Sequence, residues 1–144
     1  MTSPSAPAGH DAPSGGRTLS VLLYSDDADV RAAVRLAVGR RPAPDLPVVE
    51  WTECATEAAV LSHVDAGGLD VLVLDGEAVP AGGMGLCKQL KDEIYECPPV
   101  LVLTGRPQDA WLATWSRADL VVPHPLDPVA VAEAVAELAR RRIG

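Results

Sequence analysis

The sequence predicts an α/β fold, a doubly wound parallel sheet of five strands with five helices. Three observations predict it. Asp70-Val-Leu-Val-Leu-Asp75 is a branched, almost wholly apolar run that ends on a carboxylate, the pattern of a strand buried on both faces under helices. A second run, Thr18-Leu-Ser-Val-Leu-Leu-Tyr24, leads straight into Ser25-Asp26-Asp27. From there strand and helix patterns alternate to the C-terminus, and right-handed crossovers leave few other arrangements.

The first strand is expected over residues 19–24, followed by a helix over 27–40 with Val30, Ala33, Val34, Ala37 and Val38 on one stripe. Gly39 and Pro42 end that helix. Residues 48–51 read as a short strand and 56–66 as a helix presenting Ala59, Val60 and Val64, closed by Gly67-Gly68. The strand ending at Asp75 comes next, then a Gly- and Pro-rich loop over 76–85 and a helix over 84–93 carrying Leu86, Cys87 and Leu90. Pro98-Pro99 introduce a strand over 100–103 that delivers Thr104 and Gly105. Pro107 suits a helix start, so 108–116 reads as the fourth helix. The last strand is 120–122. Asp127 then caps a helix whose first position is Pro128 and whose negative end carries Arg140, Arg141 and Arg142.

For this length the flavodoxin-like strand order 2-1-3-4-5 is expected, with its switch point between strands one and three. Those are the strands that end at Asp26 and Asp75. Carboxylates gathered at that edge suggest a cation or phosphoryl site.

The 144 residues are 48% hydrophobic and 22% charged, which suits one domain with an ordinary core. Residues 1–17 are read as a disordered tail and 18–144 as the folded domain. Rich in Ser, Pro, Ala and Gly, the first sixteen residues lack the apolar block of a secretory signal. A net charge of −8 argues against nucleic-acid binding through basic patches and against attachment to anionic membranes. No run is long enough to span a bilayer, so direct membrane insertion is not expected. Cys54, Cys87 and Cys97 fit neither a disulfide framework nor a zinc site, and read as buried thiols of a reduced, cytoplasmic protein.

These residues resemble the receiver (CheY-like) domain of two-component response regulators from Leu19 to the C-terminus. Acids after strand one, an Asp after strand three, a Thr after strand four and a Pro-containing turn after strand five fall in order. The resemblance implies that Asp75 accepts a phosphoryl group from a histidine kinase and that Asp26, with Asp75, binds Mg²⁺. It places Thr104 and His124 against the phosphoryl oxygens, and a partner surface on the face that includes Trp115 and Val121.

Four departures qualify the resemblance. The family's acidic pair falls on Ser25-Asp26, so one carboxylate is missing unless Asp27 turns inward. The family's Lys-Pro turn reads His124-Pro125, and its aromatic of strand five is Val121. The loop after Asp75 is longer, and its Glu77 intrudes on the metal site. Weak Mg²⁺ binding and weakened or lost phospho-switching are therefore expected. The alternative is a working phospho-receiver.

The chain ends after helix five, so output is expected through contact with another protein and no enzymatic activity is expected. Overall the chain is similar to stand-alone actinobacterial receivers associated with respiratory NADH dehydrogenase (complex I), which implies an accessory place on that complex. A flavodoxin-like cofactor site is disfavoured because the loop after strand one is acidic.

Blander readings stand beside these. Asp27 is a helix cap, Thr104 caps a turn as readily as it contacts phosphoryl, and His124 packs at its Pro-rich turn. His10 and His63 are exposed. Trp111 belongs to the core and Trp115 to a contact surface. Gly82-Gly-Met-Gly-Leu-Cys-Lys88 lacks the full spacing of a phosphate-binding loop.

Overall fold

The computed structural model describes residues 17–106 and 111–143. Its elements run β1 (Leu19–Tyr24), α1 (Ala28–Val38), β2 (Val49–Cys54), α2 (Glu57–Ala66), β3 (Val71–Asp75), α3 (Gly83–Glu93), β4 (Val100–Thr104), α4 (Trp111–Ser116), β5 (Leu120–Pro123) and α5 (Pro128–Ile143). The strands form one sheet in the order β2-β1-β3-β4-β5, parallel throughout. The expected topology holds. The tail assignment, His10, Pro107 and the first turn of the expected fourth helix lie outside the described residues.

The sheet divides the core in two, because successive side chains of a strand point to opposite faces. Leu19, Val21, Leu23, Val71, Val73, Leu101 and Leu103 pack with α1 and α5 on one side. Leu22, Tyr24, Leu72, Leu74, Val100 and Val102 pack with α2 and α3 on the other. The three central strands β1, β3 and β4 are buried almost throughout, which is why they read as continuous apolar runs.

Local chemistry sets the helix ends. Asp27 Oδ1 accepts the Asp29 amide at 2.8 Å and caps α1, and Thr56 caps α2 by accepting the Ala59 amide. Asp127 Oδ1 accepts the Val129 amide at 3.1 Å at the head of α5. At the far end of α5, Arg140 makes a paired contact with Asp45 in the α1–β2 connection. Below the sheet, Asp119 Oδ2 accepts both Lys91 Nζ and the Val100 amide at 2.7 Å.

Some expectations need correction. β2 runs to Cys54, beyond the expected 48–51, because it is an edge strand whose half-exposed polar residues hide the pattern. Ala33 is exposed although it lies beside the buried stripe of Val34 and Val38. Trp111 is 70% exposed and Trp115 51% exposed, so Trp111 is not core. The two stand four residues apart on one helix and are neighbours on its exposed side.

Candidate functional site

Three strand ends and one turn build the site. β3 ends on Asp75, β1 gives way to Ser25 and Asp26, β4 ends on Thr104, and the β5–α5 turn supplies His124. Parallel pairing aligns these ends on one edge of the sheet. A close approach is needed to seat α3 beside them. A Cβ on Gly83 would lie 2.6 Å from the carbonyl oxygen of Asp75, so only glycine fits there.

Asp75 is nearly fully buried, and both its oxygens are engaged. Oδ2 accepts the Ser25 hydroxyl at 2.8 Å, and Oδ1 accepts the Glu77 amide at 2.9 Å. Nε2 of His124 lies 3.4 Å from Oδ1. Ser25 is itself buried, and its Oγ accepts the Asp27 amide at 3.1 Å. Thr104 is fully buried, and its Oγ1 has no hydrogen-bond partner among the described residues.

The neighbouring loop is tied to β1. Asp26 Oδ1 accepts the Val79 amide at 3.2 Å, and the Tyr24 hydroxyl donates to the Ala81 carbonyl at 2.5 Å. Burial pushes the Tyr24 phenol above its ordinary range, and the nearby Asp26, Glu57 and Asp75 add to the rise.

A cavity of about 320 Å³ opens over Asp75, lined by Asp26, Asp27, Glu77 and His124, with Val30 and Gly105 as further walls. The Glu77 side chain rests against Gly105, where a Cβ would overlap its carboxylate. Four carboxylates around one cavity favour a cation and repel a lone anion. Among the described residues no three His, Cys, Asp or Glu side chains converge on one point that would hold a metal. Mg²⁺, however, is commonly held by only one or two carboxylates together with water and phosphate. Asp26 and Asp75 on one cavity fit that modest requirement.

The structure thus brings Asp26, Asp27, Asp75 and His124 onto one cavity, with Thr104 at the end of the adjoining strand. Trp115 and Val121 do not line it. Trp115 sits on α4 with Lys88 Nζ 5.7 Å from its ring centre, and Val121 is half-buried in β5. Sequence reasoning read Ser25 only as a missing carboxylate. It missed the hydroxyl as a direct partner of Asp75, although its place immediately after β1 was the available signal.

No protein-family model matches the chain. It is 52% identical, over 128 residues, to an uncharacterized response regulatory protein of Mycobacterium tuberculosis strain H37Rv, covering 89% of this chain and 96% of that protein. The same values hold for the counterpart in strain CDC 1551. Among solved structures, the receiver domain of a Francisella response regulator superposes with a TM-score of 0.72 at 18% identity, covering 85% of this chain and 98% of that one. A CheY-like receiver domain protein from Methanospirillum hungatei gives a TM-score of 0.70 at 14% identity, covering 88% and 97%. The Thermotoga maritima response regulator TrrA, solved with Mg²⁺ and beryllium fluoride, gives 0.67 at 18% identity, covering 83% and 98%. The chain belongs to the response regulators, and its fold is that of their receiver domain.

Proposed function

We infer that this receiver accepts a phosphoryl group on Asp75, acts through contact with another protein, and couples the two events weakly. The observation that carries the reading is the buried Thr104 hydroxyl, without a partner among the described residues, at the end of the strand beside Asp75. An unpaired buried hydroxyl costs free energy, and a phosphoryl oxygen on Asp75 is an acceptor that would satisfy it. Asp26 and Asp75 are the residues that would hold Mg²⁺, with Asp27 engaged as the cap of α1. When bound, that ion offsets charge on the phosphoryl oxygens.

The weak coupling follows from the side chains that carry it. His124 supplies an imidazole where a lysine would supply a permanent ammonium. Val121 leaves no aromatic ring in β5 to change place when Thr104 moves. A ligand shifts a conformational equilibrium only by its differential affinity for the two states. With those contacts reduced, phosphorylation favours an alternative arrangement little. The exposed Trp115 and its neighbours on α4 and β5 offer the contact surface. A histidine kinase is the phosphoryl donor in this reading. The likeness to receivers beside respiratory NADH dehydrogenase supports that complex as the partner, on its cytoplasmic face. The reading assigns no substrate turnover to the chain. Among the described residues no helix is long and apolar enough to cross a membrane.

Two measurements test it. Mg²⁺ with beryllofluoride should perturb the amide resonances of Asp75 and Thr104, and silence at both would remove the phosphoacceptor. Affinity for the purified NADH dehydrogenase should then be compared for wild type, Asp75→Asn, and wild type with beryllofluoride. Three similar values are expected. A tenfold change, about 1.4 kcal/mol of coupling, would restore a full phospho-switch.

A further inference from the structure

Ser25 stands at the corner where β1 gives way to α1, and it is fully buried. A serine hydroxyl has one proton and two lone pairs. The Asp27 amide donates to that oxygen at 3.1 Å, and the oxygen lies 2.8 Å from Asp75 Oδ2. An ionised carboxylate only accepts, so the single proton of Ser25 is committed to Asp75. Arg31 holds the Ser25 carbonyl through a 2.6 Å hydrogen bond from one of its terminal nitrogens, which fixes the backbone at the same corner. The other oxygen, Oδ1, accepts the Glu77 backbone amide at 2.9 Å and lies 3.4 Å from Nε2 of His124, and Asp75 is on the wall of the cavity.

We propose that Ser25 is a positioning residue for phosphoryl acceptance. It holds Oδ2 through its buried hydroxyl, so that Oδ1, held by a backbone amide beside His124, is the acceptor atom, and it shortens the life of the acyl phosphate. This rests on Asp75 being the phosphoacceptor, as inferred above. In the transfer, Oδ1 forms a bond to phosphorus while the bond from phosphorus to the donor's leaving atom breaks, and the donor keeps that electron pair. Oδ2 becomes the carbonyl oxygen of the mixed anhydride. Ser25 gives up no proton. Its hydrogen bond nevertheless weakens, because a bond to an ionised acceptor is roughly twice as strong as one to a neutral acceptor. The hydroxyl therefore favours the free carboxylate over the acyl phosphate. In hydrolysis water adds to phosphorus, the Oδ1–P bond breaks with its electron pair returning to Asp75, and inorganic phosphate leaves with the water's oxygen. Negative charge returns to the carboxylate that Ser25 is placed to stabilise.

The test phosphorylates the full chain with acetyl phosphate and Mg²⁺, removes the donor, and follows the acyl phosphate by intact-protein mass. Wild type, Ser25→Ala and Ser25→Thr are compared. The acyl phosphate of Ser25→Ala should outlive that of wild type by about fivefold, and Ser25→Thr, which keeps the hydroxyl, should return to the wild-type lifetime. General loosening of the site admits water and shortens the lifetime, so the expected sign is opposite to that of a merely structural defect. A lifetime in Ser25→Ala equal to or shorter than wild type overturns the role of Ser25 while leaving Asp75 as acceptor. No phosphoryl incorporation in any of the three overturns both. Hydrogen exchange on the unphosphorylated proteins reads the geometry directly. The Asp27 amide should lose protection in Ser25→Ala and keep it in Ser25→Thr, and unchanged protection in Ser25→Ala overturns the proposal.

Discussion

Nε2 of His124 lies 3.4 Å from Oδ1 of Asp75, longer than an ordinary hydrogen bond. The imidazole is thus near the carboxylate without being bound tightly to it. A longer, permanently charged side chain from the same turn should reach a phosphoryl mimic better. His124→Lys is expected to raise beryllofluoride affinity about tenfold, or ~1.4 kcal/mol. Titration followed by amide resonances checks it, and unchanged affinity would mean that charge at position 124 is not limiting.

Asp26 and Asp27 are adjacent but have different duties. Asp26 faces the loop after β3 through the Val79 amide, whereas Asp27 caps α1. Asp26→Asn should sharply reduce Mg²⁺ binding with little effect on stability. Asp27→Ala should cost about 1 kcal/mol of stability through loss of the cap. Calorimetric metal titration and urea unfolding separate them, and equal losses of metal affinity would contradict the assignment.

Gly83 and Gly85 lie on one helix in opposite surroundings. A Cβ at Gly83 would meet the backbone of Asp75 at 2.6 Å, while one at Gly85 meets nothing within 4 Å. Gly83→Ala should destabilise by roughly 2 kcal/mol, since overpacking against backbone cannot relax cheaply. Gly85→Ala should stabilise by up to ~1 kcal/mol through helix propensity. Urea midpoints of the two variants decide the matter.

Burial pushes the Cys87 thiol from 9.0 up to about 12. Above the lower value the unfolded chain has released this proton and the folded chain still holds it. The unfolded state then binds fewer protons, so stability falls as pH rises across that window. The urea midpoint of wild type should therefore fall more steeply between about pH 9 and 12 than that of Cys87→Ala. Parallel slopes would mean that Cys87 is not protected by burial.

Much of the architecture was legible because the central strands carry their burial in their composition. Val71 to Leu74 and Val100 to Leu103 are apolar without interruption, and each is buried on both faces. The edge was less legible. Glu50 and Glu53 are exposed while Trp51 and Thr52 between them are half-buried, so no alternation announces how far β2 extends. Trp111 was expected in the core but is exposed together with Trp115, since a residue type alone does not fix which side of a short helix faces solvent. In the site, Asp26, Asp75 and Thr104 were readable as strand-terminal polar residues. The seating of Glu77 on Gly105 was not, since it joins two loops with no shared pattern. Ser25 was visible as a residue type but not as a hydrogen-bond donor, because its partner lies fifty positions away.

The division of the core by the sheet makes the two halves energetically separate accounts. Val73 packs toward α1 and α5, and its neighbour Leu72 packs toward α2 and α3, with only backbone between them. A void opened at one face cannot be refilled by side chains of the other. Substitutions that answer one another must therefore lie on the same side of the strand plane, and residues adjacent in sequence along β3 can diverge independently. Asp75, at the rim where both compartments end, is the position that either one can displace.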